Sequence, residues 1–256
     1  NYSLTISDSS ATITKATVSL AVADKTYDGT TDLTGQVTIT TGVGSETLTY
    51  SGATSASSHV SGPDGDTATN DNYMNAITLV NATDGSGGLA SNYQLPTLNV
   101  TNAPVTITAA TLTPTVSNDS YSQVYDGDTT ADLTPTYSFS GLVTGDTDAT
   151  LTNTSKVYND KDVNDATTIT VSGLSIAAIT GTNSSETTDY VLDATTKTVS
   201  ATITKATVAL SVADKTYDGT TDLTGQVTIT TGVGAETLTY SGATAASSHV
   251  SGPDAN

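Results

Sequence analysis

The sequence predicts an all-β chain made of tandem antiparallel β-sandwich domains, and three observations carry that prediction. Apolar residues alternate with threonine at period two, as in Val37-Thr38-Ile39-Thr40 and Ile169-Thr170-Val171, the pattern of a half-buried strand. Glycine, aspartate and proline clusters punctuate those runs, and no stretch carries the i, i+3, i+4 apolar pattern of a helix. The chain also repeats itself: residues 11–64 return as 201–254 with only Ser19/Ala209, Ala21/Ser211, Ser45/Ala235 and Ser55/Ala245 exchanged. Self-similarity at a fixed period marks an array of structural units rather than one site assembled once.

The 190-residue period divides again. Ala11-Thr12-Ile13-Thr14 recurs as Val105-Thr106-Ile107-Thr108 and as Ala201-Thr202-Ile203-Thr204. Tyr27-Asp28-Gly29, Tyr125-Asp126-Gly127 and Tyr217-Asp218-Gly219 follow that segment, while Asn1-Tyr2, Asn92-Tyr93 and Asp189-Tyr190 precede it. Units of about 95 residues approach the size of an immunoglobulin-like sandwich and exceed a solenoid repeat, so each can own a core.

Taken in order, residues 1–14 are expected to be the closing strand or strands of a preceding unit. Residues 15–108 form a whole unit of type A, with strands around Val37–Thr40, Leu48–Tyr50, Ile77–Leu79, Leu98–Val100 and Val105–Ile107. Turn clusters at Asp28-Gly29, 41–44, 61–65 and 84–88 separate them. Residues 109–204 form a whole unit of type B, and residues 205–256 are the first half of another type A unit. Half a sandwich leaves an inner face to be covered by further sequence or by a neighbouring chain. Joints at Thr14-Lys15 and Thr108-Ala109 leave almost no linker between successive units.

Charge excludes several function classes. The net charge is −19, with seven lysines and no arginine, so a polyphosphate is repelled and nucleic acid is not an expected partner. Threonine supplies 57 of 256 residues, suiting strands with one wet face. No apolar run approaches the roughly 18 residues of a membrane span. Asn1-Tyr2-Ser3-Leu4 lacks a basic start and apolar core, so the chain is expected to begin inside a mature protein. Cysteine is absent, which removes disulfides and thiolate chemistry; acidity and threonine content point towards the cell exterior.

The ordered landmarks Lys25-Thr26-Tyr27-Asp28-Gly29-Thr30-Thr31, Ser140-Gly141-Leu142-Val143-Thr144-Gly145-Asp146, Val171-Ser172-Gly173-Leu174, Asn92-Tyr93-Gln94-Leu95 and Val105-Thr106-Ile107-Thr108 together resemble the YDG-type repeat. That resemblance implies immunoglobulin-like modules strung along large bacterial surface adhesins, including filamentous-haemagglutinin-like exoproteins. It implies a secreted or surface-attached spacer holding a distal binding domain away from the cell, and no catalytic residue. One loop differs between the unit types: Ser58-His59-Val60-Ser61-Gly62-Pro63-Asp64 against Lys156-Val157-Tyr158-Asn159-Asp160-Lys161-Asp162.

Candidate sites follow from residue chemistry. In each Tyr-Asp-Gly (Tyr27, Asp28, Gly29; Tyr125, Asp126, Gly127; Tyr217, Asp218, Gly219) the tyrosine is expected at a sheet edge. The Asp-Gly pair is expected to make a tight turn with glycine at positive φ. Loop oxygens at Asp64, Asp66, Asn70 and Asp71, and at Asn159, Asp160, Asp162 and Asp165, are the candidates for calcium, although neither set has EF-hand spacing. Lys25 and Lys215 could enter an isopeptide bond, but Gln123 holds that place in type B, and a surface lysine covering a sheet edge is the plainer reading. His59 and His249 have no nearby second histidine or cysteine for zinc and read as solvated loop residues. No nucleophile, base and acid recur together, so no enzyme is expected. The expected partners are neighbouring repeats, with polysaccharide or the same protein on another cell as the alternative.

Overall fold

In the computed structural model the structure describes Tyr2 and residues 12–250, and among them the chain is nearly all β. The helical elements are two single 3-10 turns, Ala90–Asn92 and Thr187–Asp189. Residues 3–11, where the strand closing a preceding unit is expected, lie outside the described residues.

The chain gathers into two compact units that cut across the sequence period. The first holds residues up to Pro114 with Phe139–Thr152 and Ser175–Ala194; the second holds Thr115–Ser138, Asn153–Leu174 and the chain from Thr195 onward. Type B residues are therefore shared between both units.

In the first unit the antiparallel pair Ser19–Val22 with Val37–Thr40 and the pair Thr49–Ser55 with Met74–Val80 present alternate side chains inward. Tyr27, Leu33, Ala53, Met74, Ala103, Val105 and Ile107 fill the core, which continues into Ala110, Leu112, Ala149 and Tyr190. Leu33 and Met74 are wholly buried, so truncating either costs about 2–5 kcal/mol in lost transfer and cavity energy.

In the second unit four strands lie in the order Tyr121–Val124, Thr196–Thr204, Thr168–Ser172 and Ser155–Tyr158. Ile169, Val171, Val199, Ala201 and Ile203 are buried from the two central strands, while the threonines between them face outward or sit half-covered. This is the period-two pattern turned into a hydrophobic face. Further along, Ala209–Val212 pairs with Val227–Thr230 in the register of the first copy.

The purely antiparallel expectation is corrected. The opening strands of type A pair in parallel with its closing strands, Ala16 opposite Tyr93 and Lys25 opposite Ile107. Type B does the same, with Ala110 opposite Tyr190 in the first unit and Tyr121 opposite Ala201 in the second. Parallel neighbours require a long crossover, and here nearly the whole repeat is the crossover. The chain thus enters and leaves type A in one direction, and only Ala109 separates the strand Ile107–Thr108 from the strand Ala110–Val116.

Candidate functional site

The Tyr-Asp-Gly tripeptides all build the same turn. Gly29, Gly127 and Gly219 take φ of 77°, 89° and 79°, a region open to glycine at little cost. The aspartate accepts from a backbone N–H two residues on: Asp28 Oδ1 from Thr30 at 2.9 Å, Asp126 Oδ1 from Asp128 at 3.1 Å and Asp218 Oδ1 from Thr220 at 3.0 Å.

Lys25 is not a surface lysine. It is 6% exposed, and its Nζ donates to the carbonyls of Thr30 at 2.7 Å and Asp32 at 2.9 Å while pairing with Asp28 at 2.8 Å. Lys215 repeats the arrangement with Thr220, Asp222 and Asp218. Gln123 substitutes neutrally, donating to Asp126 and Thr130 and accepting from the Asp132 N–H. The long side chain thus ties the turn to the strand beneath it, a use that lysine and glutamine share. Partial burial raises the Asp28 carboxyl, but the bonds from Lys25 and Thr30 outweigh it and hold the group below its ordinary value; the Lys215 bond foremost holds the exposed Asp218 at about 2.

The tyrosines do more than cover an edge. Each of the first two reaches a loop of the following repeat, Tyr27 onto a serine that an acid holds and Tyr125 directly onto an acid. Tyr27 is buried, and its hydroxyl lies 2.6 Å from Ser185 Oγ, which donates to Asp146 Oδ2 at 2.7 Å. Tyr190 donates to the same Asp146 oxygen at 2.5 Å, and its ring meets that of Tyr27 edge to face at 5.6 Å. Burial, then the bond to Asp146, pushes the Tyr190 phenol well up. Glu46, at the place of Asp146, likewise accepts from the matching tyrosine of its own repeat, Tyr93, at 2.6 Å. In the second unit Tyr125 donates to Glu236, the next copy of that acid, at 2.5 Å, which lifts its phenol to about 12.

The glycines seat the same contacts. A Cβ on Gly29 would lie 2.7 Å from Asn183 Nδ2, and one on Gly127 would lie 2.9 Å from Val233 Cγ1, whereas Gly219 has nothing within 4 Å. Tyr217 is 61% exposed.

His59 is the principal correction, for it is not a solvated loop residue. Its Nδ1–H donates to Asp189 Oδ2 at 2.7 Å, with side-chain exposures of 22% for His59 and 0% for Asp189. The Val60 and Glu186 N–H groups, each at 2.8 Å, complete three donors around that buried carboxylate. A reciprocal capping box between Glu186 and Asp189 holds the 3-10 turn, and Ser61 donates to Glu186 at 2.6 Å. The Tyr27 and His59 rings stack at 6.2 Å. His249, in the same local sequence, is exposed.

The calcium candidates mostly serve their own loops. Asp64 accepts from the Asp66 N–H at 2.8 Å, Asp66 from Ala68 at 2.8 Å, and Asp71 from Asp64 at 3.2 Å. Asp160 accepts from Asp162 at 2.8 Å, Asn159 binds the Asp165 carbonyl, and Asn70 reaches Thr106. Among the described residues no three His, Cys, Asp or Glu side chains are gathered to hold a metal.

Asp146, Ser185, Glu186 and Asp189 escape notice in the sequence because aspartate, serine and glutamate in polar loops look alike whether solvated or docked. The one available signal is the tripeptide Thr188-Asp189-Tyr190, where type A has Ser91-Asn92-Tyr93. The chain matches no protein-family model, no curated protein and no solved structure.

Proposed function

We propose that these repeats are immunoglobulin-like stalk modules of a large secreted or cell-surface bacterial adhesin, and that they extend a distal binding domain towards a surface or biofilm. The mechanism is passive. The observation that carries this reading is the joint: the Tyr-Asp-Gly end of one repeat sits on the acid-bearing loop of the next, and at the first joint one residue lies between closing and opening strands. Parallel pairing of opening and closing strands suits the same task, since a chain leaving a repeat in the direction it entered is carried forward rather than folded back. So short a joint with buried contacts limits swivelling.

Solution scattering on this chain and on one lengthened by a further 190-residue period tests the reading. A stalk gains maximum dimension in proportion to the repeats added. Saturable binding of extracellular polysaccharide, or self-association in light scattering with or without calcium, would instead make the repeats themselves the binding modules.

A further inference from the structure

Two joints of different composition lie within the described residues, one in each compact unit, and a single structurally equivalent position carries an imidazole donor in one and a carboxylate acceptor in the other. Backbone pairing establishes the equivalence. The Ser55 N–H donates to the Thr31 carbonyl and Tyr158 to Thr129; Ala56 to Tyr73 and Asn159 to Thr168; Gly62 to His59 and Asp165 to Asp162. The His59 N–H is capped by Ser57 Oγ at 3.0 Å and the Asp162 N–H by Asp160 Oδ1 at 2.8 Å. His59 therefore corresponds to Asp162, five residues beyond the register that the loop sequences suggest, since Lys156 to Asp162 aligned with Ser58 to Asp64 places Val157 opposite His59.

The receiving ends differ in the complementary sense. Type B receives with Asp189 and carries Ala109 where type A carries Lys15 or Lys205; type A carries Asn92 where type B has Asp189. In the first unit His59 meets Asp189 at 2.7 Å. In the second, Asp162 and Lys205 line one cleft of about 300 Å³ with Tyr125, Val163, Val233 and Glu236.

We propose that this position is a hydrogen-bond key: the histidine end of a type A repeat fits only the Asp189-type receiving end, and the aspartate end of a type B repeat fits only the lysine-type receiving end. Mismatched ends are penalised. Two type A repeats in succession set His59 against a lysine and an asparagine; two of type B set Asp162 against the buried carboxylate of Asp189, with Glu186 and Asp146 close behind. Discrimination by like charge and unpaired buried groups is stronger than by attraction alone. The 190-residue period then sets complementary ends against each other at both described joints. The inference rests on the reading of the repeats as modules joined in series, yet it can fail while that reading stands.

Hydrogen exchange on the full chain tests it at the first joint. His59→Asp brings the type B key to the type B receiver, and the Val60 and Glu186 amides, which both bond Asp189, should exchange at least about tenfold faster. Adding Asp189→Asn, the type A receiver, should restore them to within a few-fold. The Leu33 and Met74 amides, bonded inside the repeat, should not move. Unchanged exchange in the single variant, or no recovery in the double, overturns the key. Should His59→Asp also release the core amides, the second joint decides: Asp162 is exposed, so Asp162→His threatens no core. That change should drop the Tyr125 titration further than Asp162→Asn, which removes the carboxylate alone, and adding Lys205→Asp should recover it. A Tyr125 titration that falls no further with histidine than with asparagine overturns the key there. Failure of these exchange and titration outcomes, with chain extension retained in scattering, would reject the key and leave the stalk reading intact.

Discussion

The imidazole of His59 donates from Nδ1 to Asp189 Oδ2 across 2.7 Å, and Asp189 has no solvent exposure although 130 residues separate the two in sequence. A buried carboxylate persists only where donors surround it, and His59, Val60 and Glu186 supply three. That relationship makes the loop carrying His59 part of a joint and leads to the first prediction.

Asp189→Ala strands the imidazole and two backbone N–H groups at once. Removing one partner of a buried pair costs about 3–5 kcal/mol. Urea unfolding followed by backbone amide signals of the first unit should show a lowered midpoint there, with little change at Ile169 or Val199 of the second unit. Asp189→Asn, which keeps an acceptor for some of those donors, should lie between.

Alkali should open the second joint late. The bond to Glu236 foremost raises the Tyr125 phenol to about 12 from an ordinary 10.0. A group whose folded value is raised contributes its stability fully below the unfolded value, and that contribution is lost as pH climbs through the folded one. The window therefore runs from pH 10 to about 12. Phenolate absorbance should show Tyr125 titrating after an exposed tyrosine, and Glu236→Gln should bring it down.

Acid should loosen the Tyr-Asp-Gly turns. Asp218 lies at about 2 against an ordinary 3.8, chiefly through the Lys215 bond. For a depressed carboxyl the contribution is present above the unfolded value and disappears as pH falls through the folded one, here between 3.8 and about 2. Carboxyl carbon shifts followed through that range should show Asp218 titrating late, and Lys215→Ala should raise its midpoint. No movement on that substitution would sink the assignment.

Gly29 and Gly219 form an internal control. Alanine at either pays the left-handed backbone penalty, about 1 kcal/mol. Only at Gly29 would the new methyl group also press on Asn183, whose Nδ2 donates to the Thr144 carbonyl at 3.0 Å. Gly29→Ala should therefore perturb the Asn183 side-chain amide signals and destabilise more than Gly219→Ala. Equal effects would mean that the glycine serves its turn alone.

The strands and turns were legible because each depends on near neighbours. Alternation of Val, Ile and Leu with Thr sets two faces on any extended segment, and Asp-Gly sets a turn through one carboxylate and one left-handed glycine. The parallel pairing of Ala16 with Tyr93 and of Lys25 with Ile107 was not legible, since alternation reads the same in either strand direction. Nor was the burial of Lys25, whose Nζ is satisfied by carbonyls brought round by the turn it stabilises.

By itself the sequence determined an all-β chain, two alternating repeat types and the Tyr-Asp-Gly turns, all of which are local patterns or direct copies. The tertiary structure alone decided that Tyr27, His59, Asp146, Asp189 and Tyr190 form one cluster, and that His59 and His249 differ in surroundings despite identical neighbours in the chain. The physical reason is that a joint is made by groups far apart in sequence. Whether a polar loop residue is solvated or docked depends on what packs against it, and residue type and spacing do not carry that information.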